Sequence, residues 1–263
     1  MRIALGQFGA ALGDVEANLA RMRRLFADAT QRGADLVCFP ELCLSGYLLT
    51  ADDYSDSLLD EVETAEKVLA EEAQRAAVSL IYGAPVRGSG GLVNAVVLRD
   101  AGGVRVLYAK THMDELERRV FVRGDEFVIA GDLGLACCYD LAFPEMTRSL
   151  TLRGALVLVA PMAWEVERGF VMQSVVEARA VENVAYLVCI NQAGSVGPFR
   201  FRGSSCVVDP LGRTVVELGN DEGLELVDLD LEWVARLRDR TDEQTYPLLD
   251  DRRPDLYEGI AGP

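Results

Sequence analysis

The sequence predicts an α/β protein. Segments of helical periodicity alternate with short apolar runs at the start of the chain and again in its middle. Hairpin-like strand pairs lie between and after them, and no linker long enough to separate domains interrupts the 263 residues. Sheets covered on the outside by helices satisfy all three observations.

Residues 3–8 read as a first strand. Asp14 then caps a helical stretch that places Leu19, Met22, Leu25 and Phe26 on one face and stops at Gly33. Residues 35–39 are a second strand, running out in PELCLSGY. Residues 56–77 are helical again, and the strand SLIYGAP follows. A hairpin pattern comes next: LVNAVVLRD, a turn from Asp100 to Gly103, then VRVLYAK. The polar segment 111–126 reads as a lid or loop, helical for a turn or two at most.

After a short strand at 127–130, the run LGLACC has the length and small residues of a buried strand that ends at Cys138. The chain breaks at Tyr139-Asp140 and resumes as a helix with Pro144 in its first turn. A strand at 155–160, a helix at 167–182 and a strand at 185–191 continue the alternation. Strands in SSCVVD, TVVEL and LELVDLD and a helix at 231–237 complete the pattern. The tail from Asp239 onward is polar and is expected on the surface.

Half of the residues are hydrophobic and 26% are charged, the profile of a soluble globular protein. A formal charge of -16 argues against nucleic acid or an anionic membrane as partner. No apolar run approaches the ~20 residues of a membrane span, and MRIALGQF lacks the apolar core of a signal peptide. Six cysteines in a chain of this length have no disulfide-scaffold density, so a reducing, cytoplasmic setting is expected. With His112 the only histidine and no CxxC pair, metal binding has little support. Phosphate-loop and serine-elbow motifs are absent as well.

Three strand ends carry reactive side chains. Cys138 stands where a strand gives way to a helix, near free backbone N–H groups that favour a thiolate or an oxyanion. A free cysteine there is also an ordinary small core residue, and Cys137 is the more natural core member of the pair. Glu41, in Phe39-Pro40-Glu41, has a plain reading as a solvated loop residue. Lys110 has one as an edge-strand lysine. Together they suggest more. A thiol of ordinary pKa near ~8.5 needs a base, and a nearby cation lowers its pKa and stabilises an oxyanion.

At this point the chain resembles the nitrilase, or carbon-nitrogen hydrolase, superfamily. The resemblance is carried by FPELCLSGY at 39–47, YAKTHM at 108–113 and CCYDLAFPE at 137–145. ARAVEN at 178–183, NQAG at 191–194, RGSSCVVDPLG at 202–212 and RRPDLY in the tail agree in order and spacing. The resemblance implies one carbon-nitrogen hydrolase domain over 1–263, folded as an αββα sandwich that pairs into a four-layer homodimer or higher homo-oligomer. It places the tail, 239–263, at the dimer interface. It implies no cofactor and no metal, and a triad of Glu41 as base, Lys110 as cation and Cys138 as nucleophile. A second family glutamate falls on Glu117, since Phe121 and Gly124 favour that register over Glu115.

The reaction so implied is hydrolysis of a small amide, ω-amides among the candidates, through a thioester. Lys110 and the Tyr139 backbone N–H hold the oxyanion, and Trp164 either lines the pocket or packs. Asn191 and Arg202 are expected to serve structure rather than substrate. The alternatives are an N-carbamoyl-amine hydrolase, a nitrilase (disfavoured by the short C-terminus), a catalytically idle scaffold subunit, and a Cys-His enzyme. The last would use His112, which shares a face with Lys110 if the strand continues that far.

Overall fold

The computed structural model describes residues 1–239 and 247–257, the side chains of 168–172 excepted. In chain order the first half comprises β1 (Arg2–Gln7), α1 (Val15–Gln31), β2 (Leu36–Cys38), α2 (Asp56–Ala76), β3 (Ser79–Gly88), β4 (Gly91–Arg99) and β5 (Arg105–Ala109). The second comprises β6 (Ile129–Ala130), β7 (Leu133–Leu135), α3 (Pro144–Leu152), β8 (Val157–Met162), α4 (Gly169–Asn183) and β9 (Tyr186–Asn191). A hairpin, β10 (Ala193–Val196) with β11 (Phe199–Arg202), precedes β12 (Cys206–Val208), β13 (Thr214–Glu217), β14 (Gly223–Asp228) and α5 (Leu231–Arg238).

Two six-stranded sheets result, ordered β14-β1-β2-β3-β4-β5 and β13-β12-β9-β8-β7-β6. Each has a parallel centre, β1-β2-β3 and β7-β8-β9, flanked by antiparallel strands. Parallel neighbours need a crossover, and the helices supply it: α1 and α2 pack on the first sheet, α3 and α4 on the second. The sheets stack face to face, which makes the chain an αββα sandwich.

Side-chain alternation along the strands builds the layers. Ile3, Leu5, Leu36, Cys38, Ile81, Val96 and Leu98 join the core shared with the second sheet. Their neighbours Ala4, Val37, Leu80, Tyr82, Ala95 and Val97 point the other way, onto Met22, Leu25, Phe26, Leu59, Val62 and Leu69 of α1 and α2. Asp14 caps α1 as expected, and Ser55 caps α2 in the same way. Asp14 accepts from Ala17 N at 2.9 Å, and Ser55 accepts from Leu58 N at 3.3 Å.

Three local expectations change. The strand before Cys138 ends at Leu135, not at the cysteine. Ala136 N still donates to Val159 O at 3.0 Å, but the Asp140 carboxylate then captures Cys137 N at 2.9 Å and bends the chain into a 3₁₀ turn over Cys138–Ala142. The strand before Lys110 likewise stops at Ala109, so alternation does not carry through to His112. Residues 193–202, where no strand was expected, form the β10–β11 hairpin. Of the tail, 240–246 and 258–263 lie outside the described residues. Leu256 and Tyr257 are exposed on the surface.

Candidate active site

The candidate residues come together where the parallel strands of both sheets end. Glu41 follows β2 in a turn wedged between the sheets. Its backbone N donates to Met162 O at 3.3 Å, and Gln192 Nε2 donates to its carbonyl at 3.0 Å. Leu42 beside it is held at φ 48°, a left-handed conformation that costs a leucine about 1–2 kcal/mol. Gly83 of β3 lets the turn lie against the sheet, since a Cβ there would fall 2.3 Å from Leu42 N and 2.5 Å from Glu41 Cα.

Lys110 emerges just after edge strand β5, yet it is fully buried. Its Nζ donates to Glu41 Oε1 at 2.7 Å and to Glu117 Oε1 at 2.6 Å. Asn94 of β4 donates to the same two oxygens, at 2.7 and 3.2 Å, and its backbone carbonyl accepts Lys110 N at 2.9 Å. Glu117 opens a 3₁₀ turn (Glu117–Arg119), where Asp114 Oδ1 accepts its backbone N at 2.9 Å. Glu115 points away and pairs with Arg119 at the surface. Phe121 and Gly124 have physical reasons to be where they are. Phe121 packs edge-on against Tyr54, and a Cβ on Gly124 would lie 2.2 Å from Ala109 O.

Cys138 begins the 3₁₀ turn with φ 45°, another left-handed non-glycine residue. Strain of this kind persists only where surroundings over-determine it, and here one side chain does much of that. Asp140, fully buried, accepts from Cys137 N at 2.9 Å and Tyr108 OH at 2.7 Å through Oδ2. Through Oδ1 it accepts from His112 N at 3.0 Å and Thr111 Oγ1 at 3.2 Å, and meets His112 Nδ1 at 2.8 Å. The imidazole stacks on Phe143 with centroids 4.0 Å apart. His112 thus belongs to the support of the turn, which removes the motive for a Cys-His reading.

Electrostatics follows from the burial. Burial, and then the Glu41 charge, push the Cys138 thiol well above its ordinary value, against the opposing pull of Lys110 and the Ala163 backbone N–H. Burial also raises Glu117, with Lys110 opposing and Glu41 adding to the rise. Burial alone would lower Lys110, but the charge of Glu41 leads the effects that carry it well above the usual ammonium range. At rest the thiol therefore holds its proton beside the Lys110 ammonium, which bonds both Glu41 and Glu117. The thiol is not a preformed thiolate, and a nearby proton acceptor has to make it one. Glu41 Oε2, buried without a hydrogen-bond partner, is an acceptor of the right kind.

Lys110, Glu117 and Cys138 line a cleft of about 500 Å³ with Tyr47, Tyr139, Trp164, Phe199 and Phe201 among its walls. Trp164 is fixed through its backbone: Asn191 Oδ1 accepts its N at 2.7 Å and Asn191 Nδ2 donates to its O at 3.0 Å. Asn191 is structural, as expected. Arg202 borders a separate, smaller cavity with Glu177 and Glu217. Sequence reasoning missed Asn94, Asp140 and the Ala163 N–H. A lone amide within the apolar strand LVNAVVL was a visible signal for Asn94, and an acid beside a cysteine a weaker one for Asp140.

An αββα sandwich with a thiol and a carboxylate–ammonium–carboxylate group at its strand ends defines a class, the cysteine-dependent hydrolases of carbon–nitrogen bonds. Comparison with known proteins supplies the family: the carbon-nitrogen hydrolase model matches residues 2–239, and the chain belongs to that family, in its amidase-like branch. It is similar to the 2-oxoglutaramate amidase of Bacillus subtilis, 31% identical over 261 residues, covering 95% of this chain and 97% of the relative. It is 34% identical to an (R)-stereoselective amidase of Pseudomonas sp. over 263 residues, 96% of this chain and 92% of that one. An amidase from Nesterenkonia sp. superposes with a TM-score of 0.86 at 31% identity, over 99% of this chain and 96% of that chain. A variant of that amidase carries the acetamide moiety of fluoroacetamide covalently added at its active-site cysteine (TM-score 0.87, 30% identity, covering 99% of this chain and 97% of that one).

Proposed function

We propose that this chain hydrolyses small carboxamides with Cys138 as nucleophile, Glu41 as general base and acid, Lys110 as oxyanion-stabilising cation, and Glu117 as the group that holds Lys110 and orients substrate. The observation that carries the reading is the buried Lys110 Nζ held between Glu41 and Glu117 at 2.7 and 2.6 Å, in the same cleft as the strained Cys138.

Glu41 takes the thiol proton as sulfur attacks the amide carbonyl, and Lys110 with the Tyr139 backbone N–H receives the oxyanion. The C–N bond then breaks. The amine leaves with the proton held by Glu41, and a thioester remains on Cys138. Water gives a proton to Glu41 and attacks the thioester. The carboxylic acid departs, and the proton returns to sulfur. Trp164 and Tyr139 wall the acyl group.

The test is ammonia release over aliphatic amides, N-carbamoyl amines and nitriles, with intact-mass detection of the acyl-enzyme. Cys138→Ala should abolish both signals while Cys137→Ala keeps them. Activity retained in Cys138→Ala would defeat the assignment.

The same reading extends to assembly and setting. Exposed Leu152 on α3 and Val181 on α4, with Leu256 and Tyr257 in the tail, support a homodimer that the tail helps to close. Light scattering of the full chain against one ending at Arg238 tests this, a full-length monomer at micromolar concentration counting against it. Six unpaired cysteines support a reducing, cytoplasmic setting.

A further inference from the structure

The cleft carries an unbalanced charge. Among the described side chains that line it, Lys110 is the one cation, and its Nζ is already bonded to Glu41 and Glu117. Asp114 and Glu165 line it too, and neither has a basic partner across the cleft among the ion pairs of the described residues. Among the described side chains, Arg118 turns to Met113 O at 3.1 Å, Arg119 pairs with Glu115, and Arg200 with Glu167 at 3.9 Å. The remaining walls are apolar or aromatic.

A carboxylate taken into such a space would lose its water and meet Asp114 and Glu165, with Lys110 already engaged by Glu41 and Glu117. An ammonium would meet two carboxylates without a basic partner and the aromatic side chains of Tyr139 and Trp164, a residue type that attracts cations. The net charge of -16 extends the same bias to the approach path. Resting on the amide-hydrolase reading above, we propose that the substrate is an amide with an uncharged or cationic acyl group. Glu165 is the specificity-determining residue against ω-amides of dicarboxylic acids. Asp114 contributes the same sign, but its Oδ1 also accepts Glu117 N, so Glu165 is the cleaner position to change.

The experiment compares kcat/KM for three amides of one chain length: 5-aminopentanamide, pentanamide and glutaramate. The expected order is cation at or above neutral, with neutral at least tenfold above anion at low salt and the gap narrowing as salt is added. Glu165→Gln should raise the glutaramate-to-pentanamide ratio several-fold, and Glu165→Lys should raise it further. Glutaramate matching or exceeding pentanamide in the unmodified enzyme, or a ratio indifferent to both substitutions, overturns the proposal.

A second readout needs no turnover: the modification rates of Cys138 by cationic, neutral and anionic methanethiosulfonates, each divided by its rate with free glutathione. The same order, compressed by Glu165→Gln, supports the proposal. Equal normalised rates overturn it. If no amide of any charge is cleaved, the amide-hydrolase reading fails, and the reagent order still decides the charge preference.

Discussion

Replacing Lys110 with Met would remove the ammonium from between two buried carboxylates while keeping most of the side-chain volume. Glu41 Oε1 and Glu117 Oε1 both bond Lys110 Nζ, at 2.7 and 2.6 Å, and Asn94 Nδ2 would be the donor left between them. Two unit charges about 5 Å apart repel by roughly 3 kcal/mol at an effective dielectric of about 20. Breaking a buried ion pair by deleting one partner costs on the order of 3–5 kcal/mol.

The variant relieves this by keeping a proton on the carboxyl pair. The pair's folded pKa then lies above the unfolded carboxylate value, so the variant is best off at acid pH and loses stability as pH rises through that folded pKa. The assay is urea denaturation of both proteins at pH 5 and pH 8. The deficit of Lys110→Met should be larger at pH 8, by about 1 kcal/mol or more, the scale of one pKa unit. Adding Glu117→Gln should recover part of it, as a double-mutant cycle would read. Activity should fall at least ~10²-fold, the scale of one lost oxyanion donor. A deficit that is small and equal at both pH values would refute the ion group as described.

Because burial holds the Cys138 thiol well above its ordinary value, alkylation by iodoacetamide should show no step near pH ~8.5, and Glu41→Gln should slow it. An ordinary thiol titration would contradict this. Asp140→Asn should cost about 2–3 kcal/mol of stability and lower kcat more than it raises KM, because an amide cannot accept from every donor that Asp140 now serves. Denaturation with steady-state kinetics checks this, and unchanged kcat would reduce Asp140 to packing. Burial pushes the Cys43 thiol from 9.0 up to about 12, so its contribution to stability is complete below pH 9 and declines as pH rises toward 12. Chemical denaturation from pH 8 to 11 should show the decline, and Cys43→Ala should make it shallower, Cys38 and the other buried thiols supplying the rest.

The sequence by itself determined the kinds and order of the elements, because periodicity, caps and turn residues act over a few neighbours. Asp14 and Ser55 cap their helices through atoms three residues away, and the alternation of Ala4 with Ile3 and Leu5 already divides the sheet into two faces. It also exposed Glu41, Lys110 and Cys138, since an ionisable or nucleophilic residue just past an apolar strand stands out locally. What made these residues a site was decided only by tertiary structure. Glu41 meets Asn94 and Lys110 across 53 and 69 residues of chain, and Gln192 holds the Glu41 carbonyl across 151. The Asp140 bonds to Tyr108 and His112, and the walls supplied by the β10–β11 hairpin, also join distant segments. No local preference encodes such contacts. Burial then set the charges, because removing water from Lys110, Glu117 and Cys138 makes each depend on the others.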